Sequence, residues 1–251
     1  MSNEGQFLAK PSGECCMKGT IHEGHPRGTY ESIASVNTYV ARPDPSKANG
    51  NIVLYFPDVW GHFTNGLLIV DGFADAGYLT LALDYFRDDP VWKHRKNRKD
   101  RSDPTFDYEA WKVKHTTYAD EYVPKWVGVV KEKYGCPETK FACVGYCFGA
   151  PYVCNELAKT TVVAGAFAHP AFLKDDHFAN LQKIDHTFET ASRRKALDIM
   201  QEAKKTYQLQ LFSGVEHGFA LRGDLDDPYQ RYVKEQSLQG IVQWFDYWLS
   251  T

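Results

Sequence analysis

Residues 141–151, FACVGYCFGAP, constrain the fold more than any other stretch of the chain. An apolar run of strand length leads into Gly145-Tyr146-Cys147-Phe148-Gly149, and a helix-compatible run follows. This is the pattern of a nucleophile elbow, with Cys where Ser is more common. Its demand is geometric. The central residue sits on a tight strand-to-helix turn, and small residues two before and two after let the backbones pass closely. The Phe148 N–H, at the start of the following helix, would then face a developing oxyanion. A small buried cysteine at a tight turn satisfies the same pattern, because free Cys is among the most buried residue types.

The rest of the chain supplies the sheet such an elbow needs. Residues 35–41, SVNTYVA, alternate polar and apolar as a half-buried strand does. Residues 51–56, NIVLYF, and 78–83, YLTLAL, are continuous apolar runs, as expected of strands covered on both faces. Between them lies a helical pattern over 64–76, stopped by Gly77. That spacing makes a βαβ unit, and with it a doubly wound, mostly parallel sheet with helices on both faces. Residues 108–134 read as a helix bent at Pro124, 162–167 as another buried strand, and 190–207 as an amphipathic helix. The last strand is expected at 209–212, LQLF, and a final helix at about 229–249. The whole of 1–251 reads as one domain, with an irregular arm over 1–35 carrying an edge hairpin within 20–33. The segment 87–110, dense in Lys, Arg and Asp, is either a solvated excursion or a cap over a pocket.

Composition excludes several classes. A net charge of −3 argues against nucleic acid or an acidic membrane surface as partner. No run approaches transmembrane length, and the first residues carry no apolar core of a signal peptide. Six cysteines without a C-x-x-C pair fit reduced thiols in a cytoplasmic protein, with neither a disulfide framework nor zinc spacing.

His217 follows the last expected strand in Ser213-Gly214-Val215-Glu216-His217-Gly218-Phe219. A nucleophile after one strand and a His after the last match the order nucleophile, acid, His of α/β-hydrolases. His217 is then the candidate base for the Cys147 thiol. It is also one of nine histidines, most of which need no catalytic explanation.

GYCFGA, SGVEHGF, DYFRDDP and the arm pattern CC…G…H-x-G-x-P-x-G together resemble the dienelactone hydrolase family, particularly its fungal members. The resemblance covers essentially the whole chain. It implies a compact α/β-hydrolase acting without metal or organic cofactor on a small lactone or carboxylic ester, in the manner of a carboxymethylenebutenolidase. It implies a Cys-His-Asp triad of Cys147, His217 and Asp185, with the Val59 N–H joining that of Phe148 in the oxyanion hole. It also implies that Asp58 stands where relatives carry a Glu touching the nucleophile, and that Arg87 and Arg222 hold a substrate carboxylate. Monomer and homodimer both remain open.

One departure stands out. The family pattern expects an apolar strand before the acid, but residues 169–189 pass from loop to Asp185 without one. One strand is therefore expected to be missing, which would leave Asp185 on an unsupported loop. Asp175, Asp176 and Asp198 are the other carboxylates within reach in sequence. A non-catalytic ligand-binding or inactivated form on the same scaffold is the rival reading, and a thiol oxidised reversibly at Cys147 is a third.

Overall fold

The computed structural model describes residues 22–95, 100, 102–159, 161–174, 177, 183–185 and 190–251. Its strands are β1 (Thr29–Ile33), β2 (Val36–Ala41), β3 (Ile52–Phe56), β4 (Leu79–Leu83), β5 (Phe141–Tyr146), β6 (Ala164–Ala168), β7 (Lys183–Asp185) and β8 (Thr206–Gln208). The helices are α1 (Thr64–Asp75), α2 (Tyr108–Tyr134), α3 (Ala150–Ala158), α4 (Thr190–Glu202), α5 (Phe219–Arg222) and α6 (Pro228–Ser250). The strands form one sheet in the order β1-β2-β4-β3-β5-β6-β7-β8. β2 runs antiparallel to both its neighbours, and from β4 to β8 every pair is parallel.

Both faces of the sheet are covered, which is why β3 and β5 are buried at every position. The period-2 alternation of a strand sorts their side chains. Ile52, Leu54 and Phe56 pack on one side with Trp126 and Val130 of α2, Leu157 of α3 and Met200 of α4. Val53 and Tyr55 pack on the other with Val70 and Phe73 of α1 and Ile241 and Phe245 of α6. α2 begins where the Asp107 carboxylate accepts from the N–H groups of Glu109 and Ala110. It runs on through Pro124, whose exposed position turns the missing hydrogen bond toward water.

Three expectations need correction. The expected missing strand is present but short: β7 has three residues, and Asp185 is its last. Ile184 is its only apolar residue, too little for an alternating or continuous apolar signal. The last strand is 206–208 rather than 209–212, because α4 stops at Glu202. There Lys204 takes φ +51° and the Lys205 N–H reaches the Met200 carbonyl at 2.9 Å, a left-handed helix end built without the usual glycine. The edge hairpin pairs β1 with β2 rather than closing within 20–33. Its two-residue turn is Ala34-Ser35, at φ +51° and +62°, where Asn-Gly would be the usual signal. The segment after β4, for which a solvated excursion and a cap are both expected readings, is fastened to α2 at Asp89. Its carboxylate meets Lys114 Nζ at 2.6 Å, His94 Nε2 at 2.6 Å and His115 Nε2 at 3.0 Å. Burial works against the Asp89 charge, but these partners outweigh it and hold the carboxyl well below the usual range. Residues 96–99 and 101 of the expected cap lie outside the described residues.

Candidate active site

β5 delivers Cys147 as the sequence suggests. The residue has φ +51°, a conformation non-glycine residues seldom adopt, and the turn Cys147–Gly149 passes directly into α3. Both flanking glycines are obligatory for space. A Cβ on Gly145 would lie 2.5 Å from the Gly149 carbonyl oxygen, and one on Gly149 would collide with the carbonyl oxygen of Phe56. The elbow is therefore pressed against the end of β3, which places the loop 57–61, with Asp58 and Val59, beside it. The Phe148 ring is held among Tyr85, Phe86, Tyr152 and Phe172. Val59 is buried, and its carbonyl accepts from the Val91 N–H at 3.0 Å. The Cys147 side chain has 0% of its surface exposed.

His217 lies on the loop between β8 and α5, and because β5 to β8 run parallel that loop leaves the same edge of the sheet as the Cys147 turn. Gly218, which follows it, has φ +94°, and any Cβ there would meet the Arg222 guanidinium at 2.5 Å. His217 and Arg222 line one cavity of about 320 Å³ together with Gly214, Glu216 and Asp224. A residue that the sequence did not single out joins this loop to the elbow. His169, at the exit of β6, is buried with φ +39°. Its ring lies 5.6 Å from that of Tyr146 and meets the His217 ring edge-on at 4.8 Å. Two residues on, the Ala171 N–H donates to the Cys147 carbonyl at 3.1 Å. Burial, assisted by the nearby His217, pushes His169 well below the ordinary imidazole value and keeps it neutral. Its sequence signal was faint: a His-Pro pair at the end of a buried strand.

The two arginines part company. Arg222 is buried and forms an ion pair with Asp58, its guanidinium lying 5.3 Å over the Trp60 ring. The second Asp58 oxygen accepts from the Trp60 N–H at 3.0 Å. Asp58 and Arg222, separate expectations in the sequence, are thus one unit at the cavity wall. Arg87 is exposed, with φ +54°, and lies 4.4 Å over the Tyr118 ring on α2.

The Asp185 backbone pairs with Ala166 of β6 and Gln208 of β8, and Ala166 pairs in turn with Val144. Asp185 therefore lies between the strands that lead to Cys147 and to His217. Asp175 and Asp176 lie outside the described residues, and Asp198 is exposed on α4. Among the described residues, no group of His, Cys, Asp and Glu could hold a metal ion, and no helix is long and apolar enough to cross a membrane.

An eight-stranded sheet of this order with a cysteine elbow after β5 defines an α/β-hydrolase. The match is more specific than the class. Residues 36–249 fit the dienelactone hydrolase family, and the chain belongs to it as a dienelactone hydrolase-like hydrolase. It is 41% identical over 243 residues to dienlactone hydrolase 2 of Gibberella moniliformis, covering 96% of this chain and 97% of that one. Against the human carboxymethylenebutenolidase homolog it is 21% identical, covering 87% of this chain and 90% of the other. The crystal structure of dienelactone hydrolase from Anabaena variabilis shares the fold, with a TM-score of 0.57 at 14% identity. That alignment covers 90% of this chain and 99% of the Anabaena chain.

Proposed function

We propose that the chain cleaves a small lactone or carboxylic ester bearing a free carboxylate, through a covalent intermediate on Cys147. The observation that carries this reading is the elbow itself: Cys147 at φ +51° between two glycines at which a Cβ would press on a backbone carbonyl. His217 takes the thiol proton, and the thiolate attacks the substrate carbonyl carbon, so that a C–S bond forms and the π pair moves to oxygen. The amides of Phe148 and Val59 stabilise that oxyanion. Collapse breaks the C–O bond, and the leaving oxygen takes its proton from the His217 imidazolium. In a lactone the new hydroxyl stays tethered to the acyl group. Water, deprotonated by His217, then attacks the thioester and releases the Cys147 thiolate. Asp185 orients His217. Because thiolate is a better leaving group than alkoxide, activated esters and enol lactones suit this nucleophile better than amides.

Arg222 supplies the carboxylate preference. Asp58 satisfies its guanidinium in the structure, so an incoming carboxylate competes for the same fork of donors. Arg87, exposed in the turn after β4 and stacked on Tyr118 of α2, is the outer of the two positions and the weaker contributor. The complete burial of Cys147 favours one rival, a non-catalytic scaffold protein. Quenching a reaction with p-nitrophenyl acetate and mapping the acetyl group by peptide mass spectrometry separates the two. Acetyl on Cys147 is expected; an acetyl-free Cys147 in a chain that turns over the ester would contradict the assignment.

A further inference from the structure

The arm pattern His22-x-Gly24-x-Pro26-x-Gly28 has no part in the reaction as written, yet its first residue reaches the cavity wall. His22 is only 5% exposed. Its backbone N–H donates to Asn65 Oδ1 at 2.9 Å, and its Nε2 lies 2.8 Å from the Gly223 carbonyl oxygen, so Nε2 is the protonated nitrogen. Asn65, buried in the first turn of α1, donates from Nδ2 to the Leu221 carbonyl at 3.0 Å. Leu221 and Gly223 are the residues on either side of Arg222. One hydrogen bond therefore holds the carbonyl of the residue before Arg222, a second holds that of the residue after it, and a third joins the two holders.

α5 is four residues long, and a single helical turn has almost no stability of its own. The placing of Arg222 therefore depends on bonds from outside the turn. Arg27 and Gly28, further along the arm, are anchored as well. The Arg27 N–H donates to Asp71 at 2.8 Å, its guanidinium meets Asp75 at 2.7 and 2.8 Å, and the Gly28 N–H donates to Tyr39 at 2.5 Å.

We propose that His22 is a positioning residue for substrate choice: with Asn65 it fixes the backbone of Arg222, so that the guanidinium presents itself to a substrate carboxylate. The proposal rests on the assignment of Arg222 to that carboxylate. An arm that only anchored the terminus would, when loosened, slow every ester alike. A positioning role predicts a selective loss on anionic esters.

The test compares p-nitrophenyl acetate with mono-p-nitrophenyl succinate in the full chain and reads the ratio of kcat/KM, anionic over neutral. His22→Phe keeps ring volume but removes the donor to Gly223. It should lower the ratio about tenfold, mainly through KM, as expected for one lost buried hydrogen bond. His22→Gln, whose carboxamide retains a donor, should recover most of the ratio. Asn65→Ala repeats the test from the Leu221 side if His22→Phe folds poorly. Arg222→Gln is the reference. If it leaves the ratio intact, the carboxylate assignment falls and takes the inference with it. If Arg222→Gln abolishes the preference while His22→Phe and Asn65→Ala stay within about twofold of wild type, only the positioning role of His22 is overturned.

Discussion

The two halves of the sheet hold their functional residues very differently. β3 and β5 are five and six residues long, buried throughout and joined in register from Ile52–Phe141 to Phe56–Gly145. β7 and β8 have three residues each. The proposed nucleophile, Cys147, therefore stands on a scaffold that over-determines its strained backbone, whereas Asp185 and His217, its proposed acid and base, depend on a narrow two-strand margin. His169 spans the difference, with Tyr146 and the elbow on one side and His217 on the other. A nucleophile must be held rigidly at a backbone angle its residue type disfavours. A base needs only a side chain delivered to the right place, which a loop closed by Gly218 and Arg222 can do.

The sharpest way to test the contrast is to compare acid with base. His217→Ala should reduce kcat by about 10⁴-fold or more, because triad members act as a unit. Asp185→Asn should cost less, on the order of 10²-fold, if three residues of β7 position the acid loosely. Equal losses in steady-state kinetics would show that the short strand serves as well as β5. On the rigid side, Gly149→Ala should destabilise the fold by about 3 kcal/mol in denaturant unfolding, since its Cβ meets the Phe56 carbonyl rather than a side chain that could yield. A variant of near wild-type stability would mean that the elbow is less tightly pressed to β3 than the distances state. Amide hydrogen exchange compares the halves without mutation: protection in β7 and β8 should be at least about tenfold lower than in β3 and β5.

The smallest effect lies at the far edge, where Glu31 of β1 binds Lys133 at 2.6 Å, Arg42 at 2.7 Å and Tyr134 at 2.7 Å. Those partners lower its carboxyl to about 2. A carboxyl lowered on folding contributes stability above its unfolded value of 4.5 and loses it as pH falls toward 2. Glu31→Gln should therefore cost about 1 kcal/mol or less at neutral pH and nothing below about pH 2, read from thermal midpoints across pH.

The same contrast explains what could be read from the sequence. NIVLYF and FACVGYCFGAP announce themselves because buried parallel strands must be continuously apolar and the elbow admits only glycine at two positions. Ala34-Ser35 and Lys204 could not be read as turns, since each takes a left-handed angle that Gly or Asn would ordinarily mark. β7 was invisible because Ile184 is its only apolar residue. Cys147, His217, Asp58 and Arg222 were legible singly. The ion pair between the last two, the place of His169 and the His22–Asn65 clamp arise from contacts between segments far apart in sequence, which no local pattern encodes.

Covalent chemistry at Cys147 is measured by stopped-flow release of p-nitrophenol from p-nitrophenyl acetate by the wild-type chain and by Cys147→Ala. The wild type should release a stoichiometric burst followed by slower turnover. Cys147→Ala should show neither, at a nearly unchanged thermal midpoint. A burst that survives the substitution, or a folded wild-type chain that releases nothing, would contradict covalent chemistry at Cys147.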